Sequence, residues 1–358
     1  MGEEVRNLYV HFPFCRRKCT YCALFSRAGV SSSDRAEYVK HLASAVQAIL
    51  PPRDTPPLST IYFGGGSPAL CNLSPLLDAL SAKIDAKTEF SVELHPLDVT
   101  RENLKALKEG GVNRISMGLQ SLNDEILKHM GRGYTFTEAE KSFLLIKEYF
   151  PNAGIDLIIG YPDDMWGQSP HLNRIASWGL THCSAYSLIL EENSALHRMG
   201  TRSLDDEELM DSLTAASRFI EGIGLKRYEI SNYAIPGFEC RHNMATWRGE
   251  DYYGLGIGAH GRIGQKRTRN WWGKSQADSP DWWGQSPEIE DVSEEFDFKE
   301  RRLFALRTRE GLDASERPEW IDILDKFCAE GILTQKKSRY VLTARGREVC
   351  DSIIAELI

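Results

Sequence analysis

The 358-residue chain has no run of apolar residues approaching the ~20 that a membrane-spanning helix needs. Its first residues, MGEEVRN, lack the basic start and apolar stretch of a secretory signal. Basic excess is missing too: 43 Lys and Arg stand against 51 Asp and Glu, a net charge of −8, which argues against general nucleic-acid binding. A disulfide framework is also lacking. Of eight cysteines, Cys71, Cys183, Cys240, Cys328 and Cys350 are scattered singly, as expected of reduced buried thiols in a cytoplasmic protein. No internal repeat or low-complexity tract is found. What remains is 42% hydrophobic and 26% charged, ordinary for a globular chain able to form one large domain and a smaller one.

The three remaining cysteines are concentrated. Leu8–Phe12 reads as a strand, and directly after it Cys15, Cys19 and Cys22 follow as C-x3-C-x2-C. Thiolates are soft donors for iron–sulfur clusters, zinc or copper(I). On a cubane of four irons, three cysteines leave one iron open to a non-protein ligand. A zinc site with His11 as fourth ligand is the rival, although no second close cysteine pair completes it. Three merely structural thiols are the plainest alternative. The spacing favours a cluster without closing the other two readings.

Further along, helical and strand patterns alternate. Helices are expected at Ser33–Leu50, Leu73–Ile84, Thr100–Glu109, from Asp124, and over 137–150. Strands are expected at Ser59–Phe63, Phe90–Leu94, Arg114–Leu119, Ile155–Ile159 and Ser184–Leu190. With Leu8–Phe12 that makes six consecutive βα strands, hence a parallel sheet, too few to close an eight-stranded barrel. Functional residues then belong at the C-terminal strand ends. The cysteine loop follows the first strand, and Gly64-Gly65-Gly66-Ser67-Pro68 follows the second. One more amphipathic helix is expected over 204–224.

LYVHFPFCRRKCTYC resembles the radical SAM superfamily and its coproporphyrinogen-oxidase-like subgroup. The resemblance implies an α/β fold, a partial (open) β/α barrel of six parallel strands. It also implies a 4Fe–4S cluster on Cys15, Cys19 and Cys22, whose open iron is chelated by S-adenosylmethionine. Reductive cleavage of the sulfonium to a 5′-deoxyadenosyl radical would follow. Tyr21 would lie by the adenine. Gly65, Gly66 and Ser67 match the family's GGGTP segment, where the bland alternative is a plain turn. Glu93, Gln120, Arg132, Asp156 and Tyr9 match its remaining cofactor contacts. Glu93 could instead point to solvent, whereas Asp156 in an apolar strand demands a hydrogen-bonding partner or a ligand. No residue is assigned a catalytic role.

Coproporphyrinogen oxidases carry a fourth cysteine two residues after the third; here that position is Leu24, and Ala23 stands where aspartate is common. The chain is therefore more similar to the HemW-type haem chaperones. Their HNxxYW motif appears as His242-Asn243-Met244-Ala245-Thr246-Trp247, with Thr246 replacing tyrosine, followed by the G-x-G-x-G-A-H-G run at 254–261. The resemblance implies haem contact at His242, Asn243 and Trp247, against the plainer reading of a loop-capping histidine and core tryptophans. Five of eight tryptophans fall between Trp247 and Trp283. The expected partners are haem or a porphyrinogen, a haem acceptor and a reductant protein, with room for a homodimer. Coproporphyrinogen III oxidation and a zinc-stabilised scaffold remain as alternatives.

The expected domains are a barrel with a haem-associated extension from about 227 (1–285), an acidic linker (286–297) and a winged-helix-like α+β domain (298–358). Six acidic residues and no basic one mark the linker. From Asp297 onward 12 basic residues balance 12 acidic ones, so the last domain suits an interaction or lid module better than a DNA reader.

Overall fold

Six strands alternate with helices through the first half of the chain. They are β1 (Asn7–Phe12), β2 (Thr60–Gly65), β3 (Glu89–Leu94), β4 (Arg114–Gln120), β5 (Ala153–Ile159) and β6 (His182–Ser187). In this computed structural model, which describes residues 4–50, 56–164, 166–270 and 287–358, they pair in parallel and in chain order. Helices α1 (Ser32–Ile49), α2 (Ser74–Leu80), α3 (Arg101–Glu109) and the pair α4 (Asp124–His129) and α5 (Phe136–Tyr149) supply the first four crossovers, and the short helix Leu172–Ala176 lies in the fifth. The sixth strand ends at Ser187, three residues short of the expected stop at Leu190.

Strand alternation sorts the side chains into two environments. Leu8, Val10, Phe12, Ile61, Phe63, Phe90, Val92, Ile115, Met117, Ile155 and Leu157 join one buried core with Val39, Leu42, Val46, Leu104, Phe143 and Ile146 of the helices. Fully burying each such side chain contributes about 1.5–3 kcal/mol. The opposite face carries Tyr9, Thr60, Tyr62, Glu89, Ser91, Glu93, Arg114, Ser116, Asp156 and His182. That inner face is polar because it lines the barrel interior.

The extension from about 227 is built into the same sheet. β7 (Lys226–Arg227) and β8 (Asn232–Ala234) add antiparallel strands beyond β6. After α6 (Asp206–Gly222) and α7 (Arg241–Trp247), β9 (Tyr253–Leu255) pairs in parallel with the outer side of β1. The nine-stranded sheet therefore keeps two separate edges and stays an open barrel.

The acidic stretch expected as a linker is corrected by the structure. Glu288–Asp291 forms β12, the outer strand of a sheet with β10 (His260–Ile263) and β11 (Lys266–Arg269), and Glu294–Leu303 forms helix α8. The register sets Lys266 against Asp291, Arg267 against Glu290 and Arg269 against Glu288. Opposite charges facing across a ladder stabilise it. A short polar segment thus found a partner that its own composition did not disclose. The C-terminal part has its own core around Leu303, Leu306, Trp320, Leu324, Tyr340 and Ile353, with a three-stranded sheet of Leu312–Asp313, Arg339–Leu342 and Leu333–Lys336. Among the described residues, no helix is long and apolar enough to cross a membrane.

Candidate functional site: a cavity at the ends of the parallel strands

The loop after β1 is tied down at both ends. Phe14–Cys15 pairs with Arg27–Ala28, and the Thr20 amide reaches the Met130 carbonyl at 3.1 Å. The glycine loop after β2 is fastened onto it: the Gly66 amide donates to the Phe12 carbonyl and the Ser67 amide to the Phe14 carbonyl, each at 2.7 Å. A Cβ on Gly66 would strike both carbonyl oxygens and come to 2.9 Å from Cys15 Sγ. Gly65 has a φ of +106°, and a side chain there would run into the His11 ring. Glycine is required at both positions.

Between these loops and the strand ends lies a cavity of about 660 Å³. Cys15, Cys19, Cys22, Tyr21, Gly65, Gly66, Ser67, Glu93, Gln120, Arg132 and Asp156 all line it. Every residue expected at the cluster and the nucleotide, except Tyr9, is thus brought to one space. Burial and the neighbouring thiols push Cys15 up to about 11, and burial raises Cys22. Arg132 is threaded through the wall: Nη2 donates to the Gly118 carbonyl at 2.8 Å, Nε to Tyr134 at 2.9 Å, and Nη1 to Cys19 Sγ and the Tyr21 hydroxyl at 3.3 Å each. Gln120 sits at φ +72°, a left-handed backbone that a non-glycine residue adopts only when its surroundings impose it.

The floor is acidic. Tyr62 donates to Glu93 Oε1 at 2.8 Å and the Gly65 amide to Oε2 at 3.0 Å. Burial and the nearby Asp156 lift Glu93 to about 7. Asp156, also raised by burial, accepts from Ser116 at 2.9 Å. Two carboxyls inside one cavity suit a cationic ligand. Tyr62, Asp98 and His95 were not anticipated from the sequence. Asp98 anchors the rim by accepting from Ser67 at 2.5 Å and pairing with Arg16. Burial and Arg132 lower His95 to about 3. Only position near the strand ends could have hinted at the three.

Tyr9 lies inside the barrel, stacked on Tyr62 with centroids 6.1 Å apart, and its hydroxyl meets His11 Nδ1 at 3.0 Å. The other His11 nitrogen contacts the Phe25 carbonyl at 3.1 Å. Both ring nitrogens are engaged, so His11 does not serve as a fourth zinc ligand. Among the described residues, no three His, Cys, Asp or Glu side chains stand close enough to share one metal ion. The donor set fits a cluster: three thiols facing a cavity beside a glycine that leaves room at Cys15.

The second motif divides. His242 is only 6% exposed, its Nδ1 meets Thr60 Oγ1 at 2.8 Å, and its ring lies against Tyr62 at 5.3 Å. Burial lowers it to about 3. Glu89 holds the start of α7 by accepting the Arg241 and His242 amides at 3.0 and 3.1 Å. His242 is therefore a core residue at the N-terminal end of β2, away from the cysteines. Asn243, Thr246 and Trp247 line a smaller cavity of about 270 Å³ with Asn232 and Arg307. Trp271, Trp272, Trp282 and Trp283 lie outside the described residues.

An open parallel barrel whose first loop carries a cysteine triad, set beside a glycine loop on one cavity, places the chain in the radical SAM class, and the Radical SAM superfamily profile matches residues 9–169. Within that class the chain belongs to the HemW family. It is 34% identical over 278 residues to the heme chaperone HemW of Bacillus subtilis (strain 168), covering 74% of this chain and 73% of that one. It is 29% identical over 374 residues to HemW of Escherichia coli (strain K12), covering 97% of each. Among solved structures, coproporphyrinogen III oxidase (HemN) from Escherichia coli superposes with a TM-score of 0.80 at 20% identity, over 98% of this chain and 89% of that one. That likeness shows the fold.

Proposed function

We propose that this protein is a radical SAM haem chaperone: it carries a 4Fe–4S cluster on Cys15, Cys19 and Cys22, binds S-adenosylmethionine in the strand-end cavity, and holds haem for delivery to an acceptor. The observation that carries the reading is the convergence of the three thiols, the glycine loop and the Glu93–Asp156 floor on one cavity. The cofactor pair, when bound, supplies one-electron reductive cleavage of a sulfonium. The chain's own work is positional. Gly65 and Gly66 allow close backbone approach, and Ser67 is held by Asp98. Glu93 and Asp156 present carboxyls to a cation, while Arg132 links the Cys19 thiol to the β4 carbonyl at Gly118.

Three further parts belong to this reading: a cytoplasmic location with the reducing conditions a cluster needs, a separate reductant protein, and a haem-acceptor protein. A homodimer is compatible with it. Anaerobic reconstitution with iron and sulfide, followed by S-adenosylmethionine and haemin titrations, is the test. A colourless protein, or one that leaves the Soret band of haemin unmoved, would end the proposal. Coproporphyrinogen III oxidation is the second reading, favoured by the family resemblance and opposed by Leu24 in place of a fourth cysteine. An anaerobic assay that yields protoporphyrinogen would establish it.

A further inference from the structure

Behind the cavity floor, inside the barrel, lies a cation with no partner of its own. Arg114 is 2% exposed and among the largest fully buried side chains of the protein. Its register partner on β3 is Ser91, so the inner face of β3 sets Glu89 one pleat below it and Glu93 one pleat above, each roughly 6.6 Å along the strand. On its own strand Ser116, two residues further on, donates to Asp156 at 2.9 Å. A buried guanidinium is costly unless it is paired and hydrogen-bonded. Yet Nε is buried without a partner, Nη1 reaches only the Ser91 hydroxyl at 3.4 Å, and Arg114 makes no ion pair among the described residues.

Three carboxyls surround this charge. Glu89 is already engaged, since it accepts the Arg241 and His242 amides at the start of α7. Glu93 and Asp156 remain, and Arg114 opposes the rise that burial imposes on each. The other titratable groups facing this part of the interior are neutral. Burial keeps Tyr9 of β1, Tyr62 of β2, Tyr186 of β6, Tyr228 and Cys240 protonated, and it holds His182 and His242 unprotonated. Arg132, the second cation near the floor, is bound to Cys19 and the Gly118 carbonyl in the cavity wall. Arg114 is thus the fixed charge behind the two acids.

We propose that Arg114 is a positioning residue for the nucleotide: a counter-charge one pleat behind the floor that keeps the Glu93–Asp156 pair ionised toward a cationic ligand. It does not line the cavity and acts through the two carboxyls. Its own repulsion of the ligand is the weaker effect, because the carboxyls stand nearer and Coulomb energy falls with distance. The assignment rests on the S-adenosylmethionine reading and adds what sets the charge of that site.

The test compares S-adenosylmethionine with S-adenosylhomocysteine, its uncharged thioether counterpart, by equilibrium dialysis against the reconstituted full chain. With Glu93 at about 7, about half of it is ionised at pH 7. A roughly tenfold weaker acid would be about a tenth ionised there. Arg114→Met should therefore bind S-adenosylmethionine about fivefold more weakly at about pH 7 and within about twofold of normal at about pH 9. S-adenosylhomocysteine affinity should stay within about twofold at both, and Arg114→Lys, which keeps the charge, should behave as the unaltered protein. In the cluster-free protein, the infrared carboxyl band that Glu93→Gln removes should titrate at higher pH in Arg114→Met. Equal weakening of both nucleotides at both pH values would make Arg114 a packing residue and overturn the proposal, as would an unmoved Glu93 band. Arg114→Gln is a second neutral variant, and failure of both neutral variants to fold would also overturn it. If the unaltered protein binds no S-adenosylmethionine, that reading falls, and the infrared titration still decides the role of Arg114.

Discussion

Tyr62 donates its phenolic hydrogen to Glu93 at 2.8 Å across the floor of the cavity, so the second and third strands are joined where a cationic ligand would arrive. Glu93 titrates near neutrality, at about 7, because burial and Asp156 oppose its charge. Its folded pKa lies above the ordinary 4.5, so the stability it contributes is complete below that value and is lost as pH rises through 7. The ligand-free protein should lose roughly 1 kcal/mol between about pH 6 and about pH 8 from this group. Urea unfolding at the two pH values measures it, and Glu93→Gln should flatten the difference. Binding of S-adenosylmethionine should tighten over the same interval, since the ionised carboxylate is the form a cation prefers.

Cluster formation should depend on three thiols and on no others. Cys15→Ala, Cys19→Ala and Cys22→Ala should each abolish the brown absorbance after anaerobic reconstitution. Cys71→Ala should retain it, because Cys71 does not line the cavity. Iron and sulfide analysis of the four variants checks the assignment.

His242 is a structural residue with a measurable cost. Replacing it by alanine removes a buried ring and leaves the Thr60 hydroxyl without one of its partners. A loss of about 2–4 kcal/mol is expected. Denaturant unfolding should show it even with neither haem nor cluster present. A loss below about 0.5 kcal/mol would mean that the side chain is not packed as described.

The junction between the small sheet and α8 is an ion-pair network. Glu300 pairs with Arg262 and, at 2.7 Å, with Arg267, which also meets Asp297 at 2.5 Å; Arg301 meets Asp251 at 2.7 Å. Arg262 is buried, and burial together with Arg267 and Arg301 lowers its pKa to about 10. Glu300→Ala strands that guanidinium and should cost about 3 kcal/mol. Limited proteolysis should then cut near 287–300 well before the barrel. Glu300→Gln, which keeps hydrogen bonds but not the charge, should be intermediate.

Much of this molecule could be read one residue at a time. The C-x3-C-x2-C spacing, the glycine run after a β-rich segment and the alternating helix and strand patterns are local properties, set by side-chain period and turn chemistry. They sufficed for the six parallel strands and the cysteine loop. Which side chains meet depends on sheet register and on residues far apart in the chain, and there the tertiary structure decided. Tyr62 meets Glu93 because β2 and β3 are adjacent in register. Asp98 reaches Ser67, and Leu97 and Ile189 join Leu24, because three separate strand ends open onto one space. His242 stands in a motif whose resemblance implies haem contact, but Thr60, Tyr9 and Tyr62 close around it. The acidic stretch 286–297 reads as a solvated linker until the Lys266–Arg269 strand is laid beside it. Spacing along the chain identifies donors, whereas burial and pairing are relations between distant segments that only folding brings together.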